Sequence, residues 1–342
     1  MKIISIYKEV QITCRRRSIM KHVRTAVFMA MCLALVCACQ KKEVPLSPSA
    51  QKKLTVVTTL FPLYDFARTI GGDKADVSLI LPPGVEPHSF EPRPEDAARV
   101  TKADLFVFTN EYMEPWAMKF VKGLNAGNIT LVDSSKGVVF LKAGIEEEGE
   151  GEHDGHNGKG HHHHAGAMDP HIWLDFGNAR IMVDNIAAAL CAKDPANTGY
   201  YLANAAAYKA KLAKLDDDYR AGLSTCAKRV FLHGGHYAFG YLAHRYGLRY
   251  ESASAVNADA EPTPAQLIAL VKQVKASGLK YVYSEELLSP RVAEMIARES
   301  GASVLLLHAA HNVGKDDFEK GVTFISLMKR NLANLRTGLE CN

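Results

Sequence analysis

One uninterrupted helical stretch near the middle of the chain constrains the architecture more than any other feature. Asp194 and Pro195 supply an N-cap and a first-turn proline. From about Ala196 to Leu223 the apolar residues Tyr201, Ala205, Tyr208, Leu212, Leu215, Tyr219 and Leu223 recur at intervals of three and four, the period of an amphipathic helix. At ~1.5 Å per residue this helix is about 40 Å long. That length runs past two small lobes, so the helix reads as a rigid strut between them.

The same rhythm of strands and helices repeats on both sides of the strut. Before it, residues 54–60, 77–81, 104–109 and 129–132 read as strands. Helices are expected over 63–70, from Pro94, over 116–124 and over the alanine-rich stretch 177–191. After it, strands are expected at 229–232, 249–252, 281–283 and 304–307. Between them helices run to Tyr246, from Pro264 to before Gly278 and from Pro290 to Gly301, and a last one covers roughly 316–335. Strands alternating with helices imply parallel sheets covered on both faces. The expected fold class is α/β, with two lobes, each a mostly parallel sheet flanked by helices, joined by the long helix. A length of 342 residues suits about two domains, and 47% apolar residues are ample for their cores.

The N-terminus stands outside this pattern. Arg15, Arg16, Arg17, Lys21 and Arg24 precede a short apolar run over 25–38, too short to span a bilayer as a stable helix. Val36-Cys37-Ala38-Cys39 resembles a bacterial lipobox. Cys39, preceded by the small Ala38, is the expected lipidated residue, and Cys37 is the second choice. An ordinary signal peptide is the alternative, and Met20 is a second candidate start. The expected organisation is a lipoprotein signal peptide over 1–38, a tether over 39–53, a first lobe over 54–194, the linking helix over 195–223 and a second lobe over 224–342. An exported chain meets conditions in which disulfides form. Cys191, Cys226 and Cys341 allow one bridge and leave one thiol, and the pair stays open. The net charge of +4 includes the leader, and no basic patch is interleaved with aromatics, so nucleic acid is not an expected partner.

The chemistry concentrates in histidines. Residues 168–175 read M-D-P-H-I-W-L-D, which fixes His171 between a proline and an apolar run. Just upstream, 146–166 is acidic, low in complexity and rich in histidine: His153, His156, His161, His162, His163 and His164. Lacking apolar residues, it reads as a disordered loop with weak metal affinity of mixed geometry. His88 lies among Pro82, Pro83, Pro87 and Pro92, just beyond a strand end, where open α/β sheets bind ligands. His236 follows the strand at 229–232, and Glu285 the strand at 281–283. A metal held by His88, His171, His236 and Glu285 would sit between the lobes, and three imidazoles with a carboxylate suit zinc. Glu286 is the alternative fourth ligand, less favoured because adjacent side chains leaving a strand diverge. His233, His244, His308 and His311 rank below these.

Five segments carry a resemblance: G-V-E-P-H-S-F-E-P-R-P-E-D at 84–96, D-P-H-I-W-L-D at 169–175, H-Y-A-F-G-Y-L-A-H-R-Y-G-L at 236–248, E-P-T-P-A-Q-L at 261–267 and E-E-L-L-S-P-R-V-A-E at 285–294. In this order the chain resembles the cluster A-I solute-binding proteins, bacterial lipoproteins and periplasmic proteins that feed ABC importers for zinc or manganese. The resemblance implies two α/β lobes that close little on binding. It implies metal ligands at His88, His171 and His236, with Glu285 at the fourth position. The manganese-binding branch has aspartate there, and some zinc members use water. The histidine-rich loop is typical of the zinc branch. The implied cargo is Zn(II), with Mn(II) as the alternative, and the implied partners are a membrane permease with its ATPase. The protein is then a monomeric binding component rather than an enzyme, outside the cytoplasm and anchored through Cys39. Two other classes compete. Three histidines with an exchangeable fourth position also describe a zinc hydrolase, although the chain has no H-E-x-x-H. An adhesin-like surface lipoprotein with a structural metal is the third.

Overall fold

The computed structural model describes Met20 and residues 52–124, 129–143, 168–254 and 262–342. Cys39 and the histidines of 146–166 lie outside these residues. In chain order the first half contains β1 (Leu54–Thr58), α1 (Phe61–Gly71), β2 (Ala75–Leu79), α2 (Pro94–Val100), β3 (Leu105–Phe108), α3 (Pro115–Gly123) and β4 (Thr130–Asp133). It ends with α4 (Phe176–Lys193). The strands form one parallel sheet in the order β2-β1-β3-β4. Every residue of β3 is buried, as helices on both faces of a parallel sheet require. The helix expected from Leu63 begins earlier, at Phe61, and takes Pro62 into its first turn. A proline is tolerated there because the first-turn N–H groups have no partner within the helix.

Helix α5 (Thr198–Leu223) is the strut. Tyr201, Ala205, Tyr208, Leu212, Leu215, Tyr219 and Leu223 are all buried, so the spacing by threes and fours does mark its packed face. The α-helix starts after a 3-10 turn at Pro195–Asn197. Asp194 closes that turn by accepting from Asn197 Nδ2 at 2.6 Å and the Tyr201 hydroxyl at 2.8 Å.

The second half repeats the plan with β5 (Val230–His233), α6 (Gly240–Tyr246), β6 (Arg249–Ser252), α7 (Pro264–Ala276), β7 (Tyr281–Ser284), α8 (Arg291–Ser300) and β8 (Ser303–Leu306). Its parallel sheet has the order β6-β5-β7-β8. The single final helix expected over 316–335 is two helices, α9 (Lys315–Glu319) and α10 (Phe324–Gly338). Gly321 breaks it at φ 69°, a conformation that favours glycine. The capping box of Thr323 and Ser326 then restarts the helix. The open cysteine pairing resolves as Cys226–Cys341, which leaves Cys191 free. Among the described residues no helix is long and apolar enough to cross a membrane.

Two polar junctions, one buried and one half-buried, join the halves through α5. Asp65 on α1 is fully buried. It accepts from the Tyr208 hydroxyl of α5 at 2.7 Å and from the first N–H of α10, Phe324, at 3.0 Å, with Arg68 paired beside it at 2.7 Å. A carboxylate at a helix N-terminus is favoured by the dipole. The second junction is centred on Arg245 of α6. It donates to Asp216 of α5 at 2.8 Å and to Asp175, the N-cap of α4, at 2.7 Å. The Tyr246 hydroxyl adds a bond to Asp216 at 2.9 Å. Around both junctions Phe66, Phe176, Tyr208, Tyr219, Tyr246 and Phe324 share one apolar core that passes from the first lobe into the second. A smaller core, with Leu232, Val274, Val282 and Ile296, lies within the second lobe.

Burial alone would raise the Asp216 carboxyl, but hydrogen bonds from Arg245 and Tyr246 and the charges of Arg245 and Arg220 hold it below its ordinary value. A depressed carboxyl stabilises the fold above the unfolded value near ~3.9, and that contribution is lost as pH falls through the folded value. Arg245→Ala is therefore expected to cost about 2 kcal/mol at pH 7, because it leaves Asp175 without its cation and Asp216 with only the more distant Arg220. In urea denaturation the gap between variant and natural protein should begin to narrow below about pH 4, where the unfolded carboxyl protonates, and close as pH falls through the depressed folded value of Asp216. A gap independent of pH would contradict the role given to this ion pair.

Candidate metal centre

Four histidines converge where the C-terminal ends of the two sheets face each other. They are His88, His171, His236 and His311, and one nitrogen of each lies within 4.8 Å of the others. The ring centroids of the six pairs are 5.0 to 5.6 Å apart, so the rings stand near the corners of a regular tetrahedron. His171 and His236 face each other Nε2 to Nε2 at 3.3 Å. Zinc–nitrogen bonds of ~2.0–2.1 Å place the nitrogens of a tetrahedral site about 3.4 Å apart. This quartet therefore fits a tetrahedral ion bound through imidazole.

Each ring arrives on a different segment. His88 lies in the proline-rich loop after β2 and is the one partly exposed member, so it forms the mouth of the site. His171 precedes the short 3-10 turn Ile172–Leu174, which leads into α4. Its Nδ1 meets Asp169 Oδ1 at 2.7 Å, and the same oxygen accepts from the His171 N–H at 3.0 Å. His236 lies in the loop between β5 and α6. Its Nδ1 meets the Glu285 carboxylate at 2.8 Å, and its N–H donates to the same group at 3.3 Å. His311 follows β8. Glu286 approaches its Nδ1 at 3.8 Å and pairs with His308 at 3.0 Å. A carboxylate behind the outer nitrogen of an imidazole fixes its tautomer and turns the other nitrogen inward.

Burial pushes His88 and His171 well below the ordinary imidazole value, helped by the charges of neighbouring histidines. Both rings are thus neutral and ready to ligate. Burial also pushes Asp169 up to about 8, against the opposing pull of the His171 N–H and the charge of His311. Burial would lower His311 too, but the Glu286 carboxylate beside its Nδ1 and the charges of Glu86 and Glu285 raise it. Burial would raise Glu285 and Glu286, yet Glu285 is lowered by His236 and Glu286 by His308 and His311. Both carboxylates stay ionised and offset the charge of a cation at the centre.

Set against the expected ligands, His88, His171 and His236 come together, and Glu285 does not join them. It leaves the end of β7 toward the adjacent β5 loop, and its carboxylate is taken up by the backbone and ring of His236. It stands behind the His236 ring rather than at the centre. Glu286, the alternative, also turns away, accepting from the N–H groups of Ala309 and Ala310 at 3.0 and 3.2 Å. The fourth ring of the quartet is His311, which the sequence reading placed below Glu285. Its signal was present: H-A-A-H at 308–311 lies beyond the C-terminal end of a strand, as His88 and His236 do. His233 is fully buried outside the quartet, with its Nδ1 3.3 Å from the His236 carbonyl. Burial pushes it down to about 4.

Residues 56–338 match the family model of ZnuA, the periplasmic component A of a zinc-uptake complex. The high-affinity zinc uptake system protein ZnuA of Bacillus subtilis is 39% identical over 312 residues, covering 91% of this chain and 96% of the relative. The zinc-binding lipoprotein AdcA of Streptococcus pneumoniae is 36% identical over 307 residues, and this chain spans only 59% of its length. Among solved structures, the Zn(II)-bound ZnuA-like domain of that AdcA superposes with a TM-score of 0.70 at 33% identity, covering 84% of this chain and 100% of the domain.

Proposed function

The chain belongs to the ZnuA family of periplasmic zinc-uptake components, and on that premise we propose that it captures Zn(II) between its lobes and hands it to an ABC importer. The importer is a membrane permease with its ATPase, and the binding component acts outside the cytoplasm as a monomer held to a membrane through lipidated Cys39. The observation that carries this reading is the histidine quartet. Its ligands are His88, His171, His236 and His311, with Asp169, Glu285 and Glu286 behind them. Four imidazoles without a carboxylate suit zinc, whereas manganese prefers oxygen ligands. Four protein ligands also fill a tetrahedral shell, while a catalytic zinc keeps one position open, which disfavours a hydrolase.

The test is a competitive titration with zinc and manganese on protein lacking residues 149–166, so that the loop histidines do not contribute. One tight zinc site that manganese does not displace is expected. His311→Ala should remove a ligand and abolish tight binding. Glu285→Gln should weaken it by only about 10- to 100-fold, as for groups that orient a ligand. Tight binding in His311→Ala, or its complete loss in Glu285→Gln, would restore the glutamate as the fourth ligand.

Protons compete with metal for imidazole nitrogen. Zinc affinity is expected to fall as pH drops first through the raised range of His311 and then through the depressed range of His88 and His171. Unchanged affinity at pH 4.5 would rule out a site made of histidines.

A further inference from the structure

We propose that Asn312 is the positioning residue that holds the His88 loop in binding geometry, an inference that rests on the zinc-capture reading and deepens it. The need for such a residue follows from an asymmetry in the quartet. His171, His236 and His311 each have a carboxylate beside the outer ring nitrogen. His88 has none, and its buried Nε2 has no hydrogen-bond partner among the described residues. The position of its ring is therefore inherited from the backbone of its loop.

That loop is short of internal bonds. Pro82, Pro83 and Pro87 bring no N–H, and its internal backbone bonds are Val85 N–H to the Pro82 carbonyl at 3.1 Å and a long one at 3.4 Å from Phe90 to Pro87. The Glu86 side chain accepts from the His88 N–H at 3.2 Å. Phe90 packs on Trp116 within the first lobe, but the loop's hydrogen bonds to the rest of the described residues come from across the cleft. The Asn312 carboxamide donates one N–H to the Pro82 carbonyl at 2.7 Å and the other to the Val85 carbonyl at 2.9 Å. Its Oδ1 accepts from the Val313 N–H at 2.9 Å, and the Val313 carbonyl accepts from Gly84 N–H at 2.8 Å. Asn312 is fully buried and its donors are both spent.

Asn312 directly follows His311. One residue therefore carries the inner ligand of the second lobe, and its neighbour grips the loop that carries the outer ligand of the first. The distance between the two rings, 5.6 Å, is the longest of the six and is the one this clamp sets. Asparagine fits the task because two carbonyl oxygens need two donors. A carboxylate of the same shape would face them with none and would repel them.

The experiment compares Asn312→Asp, His88→Ala and the double variant, read by zinc competition and by the visible absorption of the Co(II) complex. Asn312→Asp is expected to weaken zinc by about 10- to 100-fold and to reduce the intense bands of tetrahedral cobalt as water replaces His88. In the His88→Ala background the same change should have no further effect, because Asn312 acts only through His88. If Asn312→Asp does not give folded protein, Asn312→Ala, which removes the donors without adding charge, takes its place. Natural zinc affinity and cobalt spectrum in the Asn312 variant, while His88→Ala is weakened, would overturn this proposal alone. Equal weakening with and without His88 would also overturn it. A His88→Ala variant that binds zinc normally would overturn the site itself.

Discussion

The first N–H of α1, on Phe61, donates to the carbonyl of His311 at 2.9 Å, and the geometry of the centre depends on that bond. A helix N-terminus has donors without partners, and Pro62 brings none to share. The chain answers this by laying the 308–313 segment of the second lobe across the start of α1. The Trp173 indole donates to Ala309 at 2.8 Å, and Gly84 to Val313 at 2.8 Å. Ala310 adopts φ 61°, a left-handed conformation that costs a non-glycine residue about 1–2 kcal/mol. That turn separates His308, paired with Glu286, from His311, which points at the other three rings. The strain is sustained because Glu286 and the first-lobe donors fix the residues on either side.

The quartet draws on positions 88, 171, 236 and 311, and such a site is only as ordered as the frame between its segments. The frame is α5 with its two junctions. Asp65 joins α1, α5 and α10, and Arg245 joins α4, α5 and α6. An apolar core runs on both sides of these polar contacts. Lobes that share a core and a seam of backbone bonds do not swing apart as freely as lobes joined by a flexible linker. Pre-positioned ligands follow from this architecture rather than from the local sequence around each histidine.

Much of this was legible in the sequence. The 201–223 periodicity specified which face of α5 is buried, because a helix that packs along its whole length must keep its apolar residues on one stripe. His88 and His236 stood out as histidines beyond strand ends, and His171 as one fixed by proline. What the sequence did not settle was direction. Glu285 and His311 both follow strands, and both are polar residues at the right end of the sheet. Which one reaches the centre depends on a single left-handed alanine and on the pull of the His236 backbone on a carboxylate. Those are tertiary effects with no local signature. The break at Gly321 was missed for a related reason. The helical pattern continues through it, and the restart at Phe324 owes its place partly to Asp65, 259 residues away in sequence.

The centre also carries an energetic argument for its ligand. Both ring nitrogens of His311, Nε2 of His88 and Oδ2 of Asp169 are buried without hydrogen-bond partners among the described residues. Each unsatisfied buried polar atom costs about 1–3 kcal/mol, so the fold sustains this cluster at the expense of stability. Packing four imidazoles around a common point yields little on its own. A soft dication at that point gives inward nitrogens a partner, and the ionised Glu285 and Glu286 behind the rings offset its charge. Inward ring nitrogens that lack a partner within the protein, backed by ionised carboxylates, are the groups a bound dication would satisfy, and that satisfaction contributes to the free energy of binding.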